Sequence, residues 1–368
     1  MLKIRFAACL TAASLLLCAS MPPAHAALPP PKPKEDVTKL DKPTIAYATP
    51  EGYEIRLMDW DGGNDRLWMG DGKAKFSGSA YWSPDGKRAA VVVFDKDEWS
   101  YIPYLLDLRT GDVQNLLEWL PKGEEGFFTH PSWSPDGKWV TIINTWYNQS
   151  ALIRTNLYKV NIYTRKYVQL TDFPEREPGS DILSWSPDGQ KIAFDALEEP
   201  MLANDANVKY DIYVMNSDGS NIVNITDDPR TDVYPSWSPD GRKIMFGSLR
   251  DDPLNLALYM MNSDGSGVER FMEDGSYISQ AAWSPDSKWI VYFGGSIDPK
   301  NPKPLGVYLA HVATRKEKLI KPGGDSPTWV LAGKSRFLSV DPSGKKHEQW
   351  GNIKEADAEA SQENASEE

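Results

Sequence analysis

The sequence Trp82-Ser83-Pro84-Asp85-Gly86-Lys87 recurs along the chain and determines its fold. It returns as Trp133–Lys138, Trp185–Gln190 and Trp237–Arg242, a modified copy begins at Trp283, and a last remnant keeps only Trp329. Successive tryptophans are separated by 51, 52, 52, 46 and 46 residues. A repeat of this length with strand patterns on either side is typical of a radial repeat architecture.

The unit that begins at Tyr234 contains four strand patterns. They are predicted over Pro235–Ser238, Lys243–Gly247, Leu256–Met261 and Val268–Met272. Tight turns join the first to the second strand and the third to the fourth, at Pro239-Asp240-Gly241-Arg242 and Asn262-Ser263-Asp264-Gly265, because Pro fixes φ and Gly accepts a positive φ. Period-two alternation supports strands throughout, and no helix is expected in the body of the chain. Four antiparallel strands of this kind make one propeller blade.

The two ends of the repeat region are expected to complete one blade together. Thr44–Ala48, Tyr53–Trp60 and Arg66–Trp68 resemble a second, third and fourth strand, and Pro327–Val330 can supply the missing first strand. The prediction is therefore an all-β, six-bladed β-propeller of four-stranded antiparallel blades, closed by N- and C-terminal strands that share one blade. Because Arg336–Val340 also has a strand pattern, a seven-bladed ring with two incomplete blades remains an alternative.

The regions before and after the repeats differ from the repeat region in composition. Lys3 and Arg5, the apolar stretch Ala7–Ala19 and the small residues Ala24-His25-Ala26 predict a secretory signal peptide. Lipidation at Cys18 is disfavoured because Leu17 precedes it. The predicted organisation is a signal peptide at 1–26, a Pro/Lys-rich extended linker at 27–43, the propeller at 44–352 and an acidic disordered tail at 353–368. The mature protein is accordingly expected in the periplasm or outside the cell.

Charge and cysteine content limit the partners. The net charge of −12 repels phosphate backbones, so nucleic acid is not an expected partner. Both cysteines, Cys9 and Cys18, lie in the predicted signal peptide, which leaves no disulfide and no cysteine metal site. No later stretch approaches the roughly 18 apolar residues of a transmembrane helix. We expect a soluble monomer with no cofactor and no metal.

The full repeat extends over four strand patterns and resembles the TolB-type, WD40-like propeller repeat from Thr44 to Val340. In consensus it is Pro/Ala-x-Trp-Ser-Pro-Asp-Gly-Lys-x-Ile-Ala-Phe…Ile-Tyr-Val-Met-Asn-x-Asp-Gly…Leu/Ile-Thr. The resemblance implies a six-bladed periplasmic propeller that binds partners of the Tol-Pal envelope system. Members of the TolB family carry an α/β domain before the propeller, whereas here only the short linker precedes the first strand. The contact usually assigned to that domain is therefore not expected.

Some propellers with such repeats belong to enzymes. Those joined to prolyl-peptidase-type hydrolases need a hydrolase domain, but the chain has no Gly-x-Ser-x-Gly motif. Pectate-degrading propeller lyases rely on histidine-rich metal sites, but only His130, His311 and His347 follow the predicted cleavage point. The resemblance therefore favours a binding function.

Propeller geometry places the short turns on one face and the long loops on the other. The short turns are nearly identical, so the short-turn face is expected to be structural. The long-loop face carries Asp95–Pro103, Thr145–Arg154, Asp195–Lys209, Ser248–Asn255 and Gly294–Leu305, and long loops on a rigid face usually carry binding.

The candidate partner-binding residues lie on the long-loop face. They are Trp99, Tyr101, Trp146 and Tyr147 in the loops, and Ser79, His130, Tyr234 and Gln280 in a ring three residues before each repeat tryptophan, completed by Ile182 and Ser326. Large aromatic side chains are favoured anchors at interfaces. A purely structural role, in which the aromatics cover the blade tops, remains open.

The sequence therefore predicts an exported, non-catalytic scaffold that binds a protein or peptide in the cell envelope, with no catalytic residues. The repeated aspartates Asp85, Asp136, Asp188, Asp240 and Asp286 are expected to accept backbone N–H bonds within their own turns. The alternative is a carbohydrate-active or hydrolytic propeller enzyme, with Asp195, Glu198 and Asp205 acting at the channel mouth.

Overall fold

The computed structural model describes residues 29–331 except 74, 79, 96–99, 121–126, 148–152, 173–181, 198–208, 254, 273–276 and 297–301. In this part of the chain the strands form six antiparallel sheets, and neighbouring sheets pack through apolar clusters. The prediction of a six-bladed propeller is confirmed, including the blade shared by the two ends. Arg336–Val340 lies outside the described residues.

The blades follow the chain in order, from the innermost strand outwards. Blade 1 consists of β25 (Asp325–Trp329), β1 (Thr44–Ala48), β2 (Ile55–Asp59) and β3 (Arg66–Met69). Blade 2 has an inner strand in two parts, β4 (Lys75–Phe76) and β5 (Tyr81–Trp82), followed by β6 (Arg88–Asp95), β7 (Ser100–Asp107) and β8 (Val113–Asn115). Blade 3 consists of β9 (Phe127–Trp133), β10 (Trp139–Tyr147), β11 (Ile153–Asn161) and β12 (Tyr167–Gln169).

The second half of the ring repeats this arrangement. Blade 4 consists of β13 (Ser184–Trp185), β14 (Lys191–Leu197), β15 (Tyr210–Asn216) and β16 (Val223–Asn224). Blade 5 consists of β17 (Asp232–Trp237), β18 (Lys243–Ser248), β19 (Ala257–Asn262) and β20 (Glu269–Arg270). Blade 6 consists of β21 (Tyr277–Trp283), β22 (Trp289–Ser296), β23 (Lys303–His311) and β24 (Glu317–Pro322). The helical segments described are two short 3₁₀ turns, Val37–Lys39 and Leu116–Trp119.

The repeat tryptophans connect neighbouring blades. Each is buried, and five of the six indole N–H groups donate to an acceptor on the preceding blade. The donor–acceptor pairs are Trp82 to Thr328 Oγ1 (3.2 Å), Trp133 to Tyr81 O (2.9 Å), Trp185 to Thr141 Oγ1 (3.2 Å), Trp283 to Ser236 O (3.1 Å) and Trp329 to Ala282 O (3.3 Å). Trp237 instead uses its backbone N–H, which donates to Ser184 Oγ at 2.9 Å. The repeated residue therefore sets both the packing and the hydrogen bonding between blades.

The repeated aspartates stabilise the tight turns, as predicted. In blade 3, Asp136 Oδ1 accepts the Ser134 hydroxyl at 2.6 Å and the Lys138 backbone N–H at 3.0 Å. Burial opposes ionisation of Asp136, but these hydrogen bonds to the carboxylate outweigh it and hold its pKa below the ordinary value. Asp85, Asp188, Asp240 and Asp286 make the same pair of contacts in their blades.

Glycine closes the blade junctions on the short-turn face in half of the ring. The turn between the third and fourth strands of blades 1, 4 and 5 places a glycine against a carbonyl of the preceding blade. A Cβ on Gly219 would lie 2.3 Å from Leu170 O, and one on Gly265 would lie 2.7 Å from Ile225 O. These glycines also have positive φ, +91° and +88°, which side chains rarely tolerate. The glycine of the Asn-Ser-Asp-Gly pattern is therefore needed both for the turn and for the close contact with the preceding blade.

Arginine replaces glycine in the corresponding turns of blades 3 and 6. Arg165 and Arg315 have φ of 58° and 60° at this position. Arg315 donates from Nη1 to Phe271 O of blade 5 at 2.9 Å, and Arg165 lies 5.4 Å above the Trp119 ring of blade 2. The expectation of nearly identical turns on the short-turn face is therefore wrong for the third-to-fourth turns, because the turns of blades 3 and 6 close over four residues and those of blades 4 and 5 over three.

The described part of the predicted linker packs against the propeller. The Lys34 backbone N–H donates to Trp68 O of β3 at 2.7 Å, and Glu35 pairs with Arg66 at 2.9 Å. Val37 is fully buried in the core between blades 1 and 2. The segment thereby covers the outer edge of blade 1. Among the helices of the described residues, none has the length and apolar content needed to cross a membrane.

Candidate functional site

The residues predicted at the channel mouth lie on bulges of the innermost strands. His130, Tyr234 and Ser326 have φ of 39°, 61° and 46°, a region that residues with a side chain seldom adopt. Each precedes a buried proline, and the strand pairing shifts register at that point. Each bulge adds one residue to the innermost strand, and the residue that follows is proline. Because proline has no backbone N–H, the bulge does not leave an unpaired N–H group in the sheet. Blades 1, 3 and 5 therefore hold strained side chains at the channel mouth.

The central strands continue further towards the long-loop face than predicted. Tyr101 lies within β7, where it pairs with Phe94 of β6, and Trp146 and Tyr147 lie at the end of β10. The predicted loops Asp95–Pro103 and Thr145–Arg154 are therefore too long, because aromatic and β-branched residues on facing strands keep pairing up to the hairpin. These aromatic positions are fixed on sheets and do not belong to loops.

Two of the predicted residues, Tyr101 and His130, lie on the sides of blades 2 and 3 that face each other. Leu105 of β7 packs with blade 3, and by strand alternation Tyr101 lies on the same side of the sheet. The Phe94 and Tyr101 rings are 5.1 Å apart. His130 contacts the edge of Tyr81 of blade 2, with ring centroids 6.0 Å apart. We call this region the blade 2–3 junction, formed by Tyr81, Phe94 and Tyr101 on blade 2 and by His130, Asn144, Asn156 and Tyr158 on blade 3.

Two buried carboxamides lie at the blade 2–3 junction. Asn144 and Asn156 face each other across β10 and β11, next to the Ile142–Tyr158 pair that packs against blade 2. Asn156 is 7% exposed, and its Oδ1 has no hydrogen-bond partner within the described part of the chain. The corresponding pairs are Val93–Ile102 in blade 2 and Gly294–Gly306 in blade 6. The fold therefore does not require carboxamides at this position.

A buried ionic cluster lies between blades 4 and 5 on the long-loop face. Arg250 Nη2 donates to Asp232 Oδ2 at 2.6 Å, and its Nη1 lies 3.3 Å from Asp228 Oδ2. The guanidinium also lies over the Phe246 and Tyr259 rings. Asp232 is fully buried, and this burial raises its pKa above the ordinary value although Arg250 opposes the shift. The cluster ties blade 5 to the segment that enters it from blade 4, at a cost in desolvation.

For most of the other predicted residues the structure describes either the backbone alone or nothing. Ser79 and Trp99 lie outside the described residues, and Gln280, Trp146 and Tyr147 are described for the backbone only. Asp195 is the acid proposed in the enzyme alternative, and the prediction that it lies in a loop is wrong. It lies in β14 and is 1% exposed, because the strand extends to Leu197. Glu198 and Asp205 of that alternative lie outside the described residues.

Sequence reasoning missed Asn144, Asn156 and the Asp232–Arg250 pair. Comparison of the repeats would have found the asparagines, because the aligned positions in blades 2 and 6 are apolar or glycine. Comparison of the repeats does not reveal the ion pair of Arg250, because its partner Asp232 lies on β17, which is distant in the sequence pattern. Among the residues described, no three His, Cys, Asp or Glu side chains lie close enough to hold a metal ion.

Comparison with known proteins agrees with the architecture. The geometry defines a six-bladed propeller built on Trp-Ser-Pro-Asp-Gly repeats. Residues 198–346 match the family described as the TolB beta propeller domain. The structure of TolB from Acinetobacter baumannii superposes with a TM-score of 0.59 and 19% identity, covering 78% of this chain and 66% of that chain. Over residues 198–346 the chain is similar to the TolB-like propeller family, and the superposition shows a shared propeller fold.

Relatives in sequence include Tol-Pal proteins and a peptidase. The Tol-Pal system protein TolB of Anaeromyxobacter dehalogenans strain 2CP-C is 32% identical over 41% of this chain and 29% of its own length. Dipeptidyl-peptidase 5 of Porphyromonas gingivalis is 30% identical over 40% of this chain and 20% of its own length. The chain thus spans less than a third of either relative. What is shared is the propeller scaffold.

Proposed function

We propose that this propeller is a non-catalytic scaffold that binds a protein or peptide of the cell envelope at the blade 2–3 junction. The observation that carries the proposal is that Tyr101, His130 and Asn156 lie on the facing sides of blades 2 and 3, where the Asn156 carbonyl has no hydrogen-bond partner among the described residues. Aromatic rings provide apolar contact area, and a buried acceptor favours a ligand that brings a donor. The strained His130 is consistent with a functional constraint at the same point.

The comparisons support a partner of the Tol-Pal system as the first one to test, because a Tol-Pal protein is among the relatives. The predicted signal peptide supports a location in the periplasm or outside the cell. A monomer is the simplest form in which the junction stays open to a partner. These three statements are parts of the proposal.

Photocrosslinking tests the proposed surface. A photoreactive phenylalanine analogue replaces Tyr101, or as a matched control replaces Ser263 in a turn on the opposite face, and the protein is irradiated with envelope proteins of its source organism. We expect a discrete adduct from position 101 only. The same adduct from both positions, or none from position 101, would contradict the proposal.

The affinity of the purified partner then tests the residues. Calorimetry with the Tyr101→Ala and His130→Ala proteins should show binding weakened by about tenfold or more, because central aromatic anchors typically contribute above 1 kcal/mol each. The control is Tyr53→Ala, an exposed tyrosine of blade 1. Equal affinities for all four proteins would place the interface elsewhere.

The second candidate is a hydrolytic or carbohydrate-active enzyme, favoured by the similarity to a dipeptidyl peptidase. A panel of fluorogenic dipeptide amides and soluble polysaccharides, incubated with the protein with and without calcium or manganese, tests it. Turnover that persists in an Asp195→Asn protein would still support an enzyme but would exclude that buried carboxylate as its acid. Absence of turnover on every substrate favours the scaffold.

A further inference from the structure

A hairpin of blade 3 exposes aromatic and basic side chains on the short-turn face. Residues 163–167, Tyr-Thr-Arg-Lys-Tyr, join β11 to β12, and all five are exposed. Tyr163 is 59% exposed and Tyr167 is 42% exposed. Exposed tyrosine beside arginine is the composition typical of interface anchors. We call these five residues together with Arg88 the blade 3 hairpin surface.

The blade 3 hairpin surface is cationic on an acidic protein. Arg88 donates to the Tyr163 hydroxyl at 3.2 Å and lies over its ring, and Arg165 lies over Trp119. Within the described part of the chain, neither arginine nor Lys166 forms an ion pair with a carboxylate. The whole chain nevertheless has a net charge of −12. Such a local excess of positive charge favours an acidic partner.

The fold does not require this composition. The matching hairpins of blades 2 and 6 have Arg109 and Ala313 in the place of Tyr163, and Val113 and Glu317 in the place of Tyr167. All three hairpins make the same turn, capped by Asp107, Asn161 and His311. Because the turn forms without the tyrosines, their exposure is a property of the surface and not of the turn.

We propose that the blade 3 hairpin surface binds the acidic C-terminal segment 353–368 of this same chain. Residues 355–368 contain six Asp and Glu and no Lys or Arg, which complements the three cations. Trp350 and Ile353 precede these acids by five and two residues, with Lys354 in between, and would supply apolar groups for Tyr163 and Tyr167. The segment therefore offers both opposite charge and apolar groups to the surface.

The described chain ends on the correct face for this contact. β25 runs towards the short-turn face, and Val330 beyond it hydrogen-bonds to Thr44 at the start of β1. The 23 residues 332–354 span about 75 Å when extended. A domain of about 300 residues has a radius of gyration of about 19 Å, so the segment can reach blade 3.

Carbodiimide crosslinking of the full-length chain tests the contact. This reagent joins a lysine amine to a carboxylate in direct contact, and mass spectrometry locates the link. We expect links from Lys166 to the carboxylates of 355–368 at least about fivefold more often than from Lys318, because docking raises the local concentration. Lys318 is the stringent control, since it is exposed on blade 6, which adjoins the blade that carries the chain end.

Two variants distinguish docking from chance encounter. The Tyr163→Ser/Tyr167→Ser protein keeps every cation and should lose most Lys166 links, whereas Arg109→Glu on the matching hairpin of blade 2 should keep them. About 0.5 M salt should also reduce the links. Equal yields at Lys166 and Lys318, or links that survive in the double variant, would overturn the proposal.

Isotope labelling and vesicles test the other occupants. In a mixture of ¹⁵N-labelled and unlabelled protein, links between differently labelled chains would show that the segment belongs to a second copy and would overturn binding within one chain. Sedimentation with phosphatidylglycerol vesicles, lost in the double variant and without any Lys166 link, would assign the surface to a lipid membrane. Neither result bears on the blade 2–3 junction, whose ligand is tested separately.

Discussion

The junction between blades 4 and 5 is closed in different ways at its two ends. At the short-turn face, Gly265 lies against the Ile225 carbonyl, and no charge takes part in this contact. At the long-loop face, Arg250 joins two aspartates, one of which is fully buried. The first contact is a repeated backbone fit, and the second is a set of side chains specific to one junction. Repetition thus builds the ring, and departures from it give individual junctions their own side chains.

Removal of the Arg250 guanidinium should have the largest effect. Arg250→Met leaves Asp232 buried without its cation, and we expect the free energy of unfolding to fall by about 3–5 kcal/mol in urea denaturation. The control is the double variant Asp232→Leu/Arg250→Met, which leaves no buried charge and should lie close to wild type. A double variant less stable than the single one would contradict this account.

Gly219→Ala should have the next largest effect, at the opposite face. The new Cβ would meet Leu170 O at 2.3 Å with φ at +91°, and we expect a loss of about 2–3 kcal/mol. Gly72→Ala is the matched control, because Gly72 has φ of +75° but nothing within 4 Å of an added Cβ. Its loss should be about 1 kcal/mol. Equal losses would show that the interblade contact contributes nothing.

The two faces should respond to acid in opposite directions. The pKa of Asp136 is lowered, so its contribution to stability is present above 3.8 and is lost as pH falls through the folded-state pKa. The pKa of Asp232 is raised, so its unfavourable contribution is present above the folded-state pKa and is removed as pH falls towards 3.8.

Unfolding as a function of pH measures this difference. Relative to wild type, Asp136→Asn should lose less stability between neutral pH and pH below 3.8, and Asp232→Asn should lose more. Asparagine keeps an acceptor oxygen in each place, so the hydrogen bonds need not break. Parallel curves for the two variants would remove the distinction between the faces.

Relief of backbone strain at His130 should have the smallest effect on stability, and it should increase stability, whereas Arg250→Met and Gly219→Ala decrease it. His130→Gly relieves the cost of a φ of 39°, and we expect thermal unfolding to show a gain of up to about 1 kcal/mol, since the flexibility of glycine offsets part of the benefit. Binding of the partner should weaken in the same protein. A loss of both stability and binding would mean that the side chain supports the fold.

Local features were predictable from the sequence, and cross-strand features were not. The Trp-Ser-Pro-Asp-Gly turns depend on contacts within six residues, so their aspartates and the blade count follow from the pattern. The position of His130 also follows from its distance to Trp133, but its positive φ arises from the register shift against β10. The strand assignment of Tyr101 depends on Phe94 across the hairpin, which a one-dimensional pattern does not contain.

Residues that make long-range pairs were the least predictable. Asp195 has the composition of a loop residue, and only the pairing of β14 with β15 shows that it is in a strand. Arg250 and Asp232 are 18 residues apart, and charge alone does not identify a partner. The pairing of these side chains therefore required knowledge of the sheet register.

The shared blade has a consequence for how the molecule folds. Ile45 pairs with Trp329, positions whose numbers differ by 284, whereas the strands of the other blades pair within one repeat. During synthesis, blade 1 remains a three-stranded sheet with a free inner edge until residues 325–329 are available. Free edges promote aggregation, and closing so long a loop costs entropy that only the completed ring recovers. Folding speed and protection from misassembly therefore depend on β25, the last of the described strands to be synthesised.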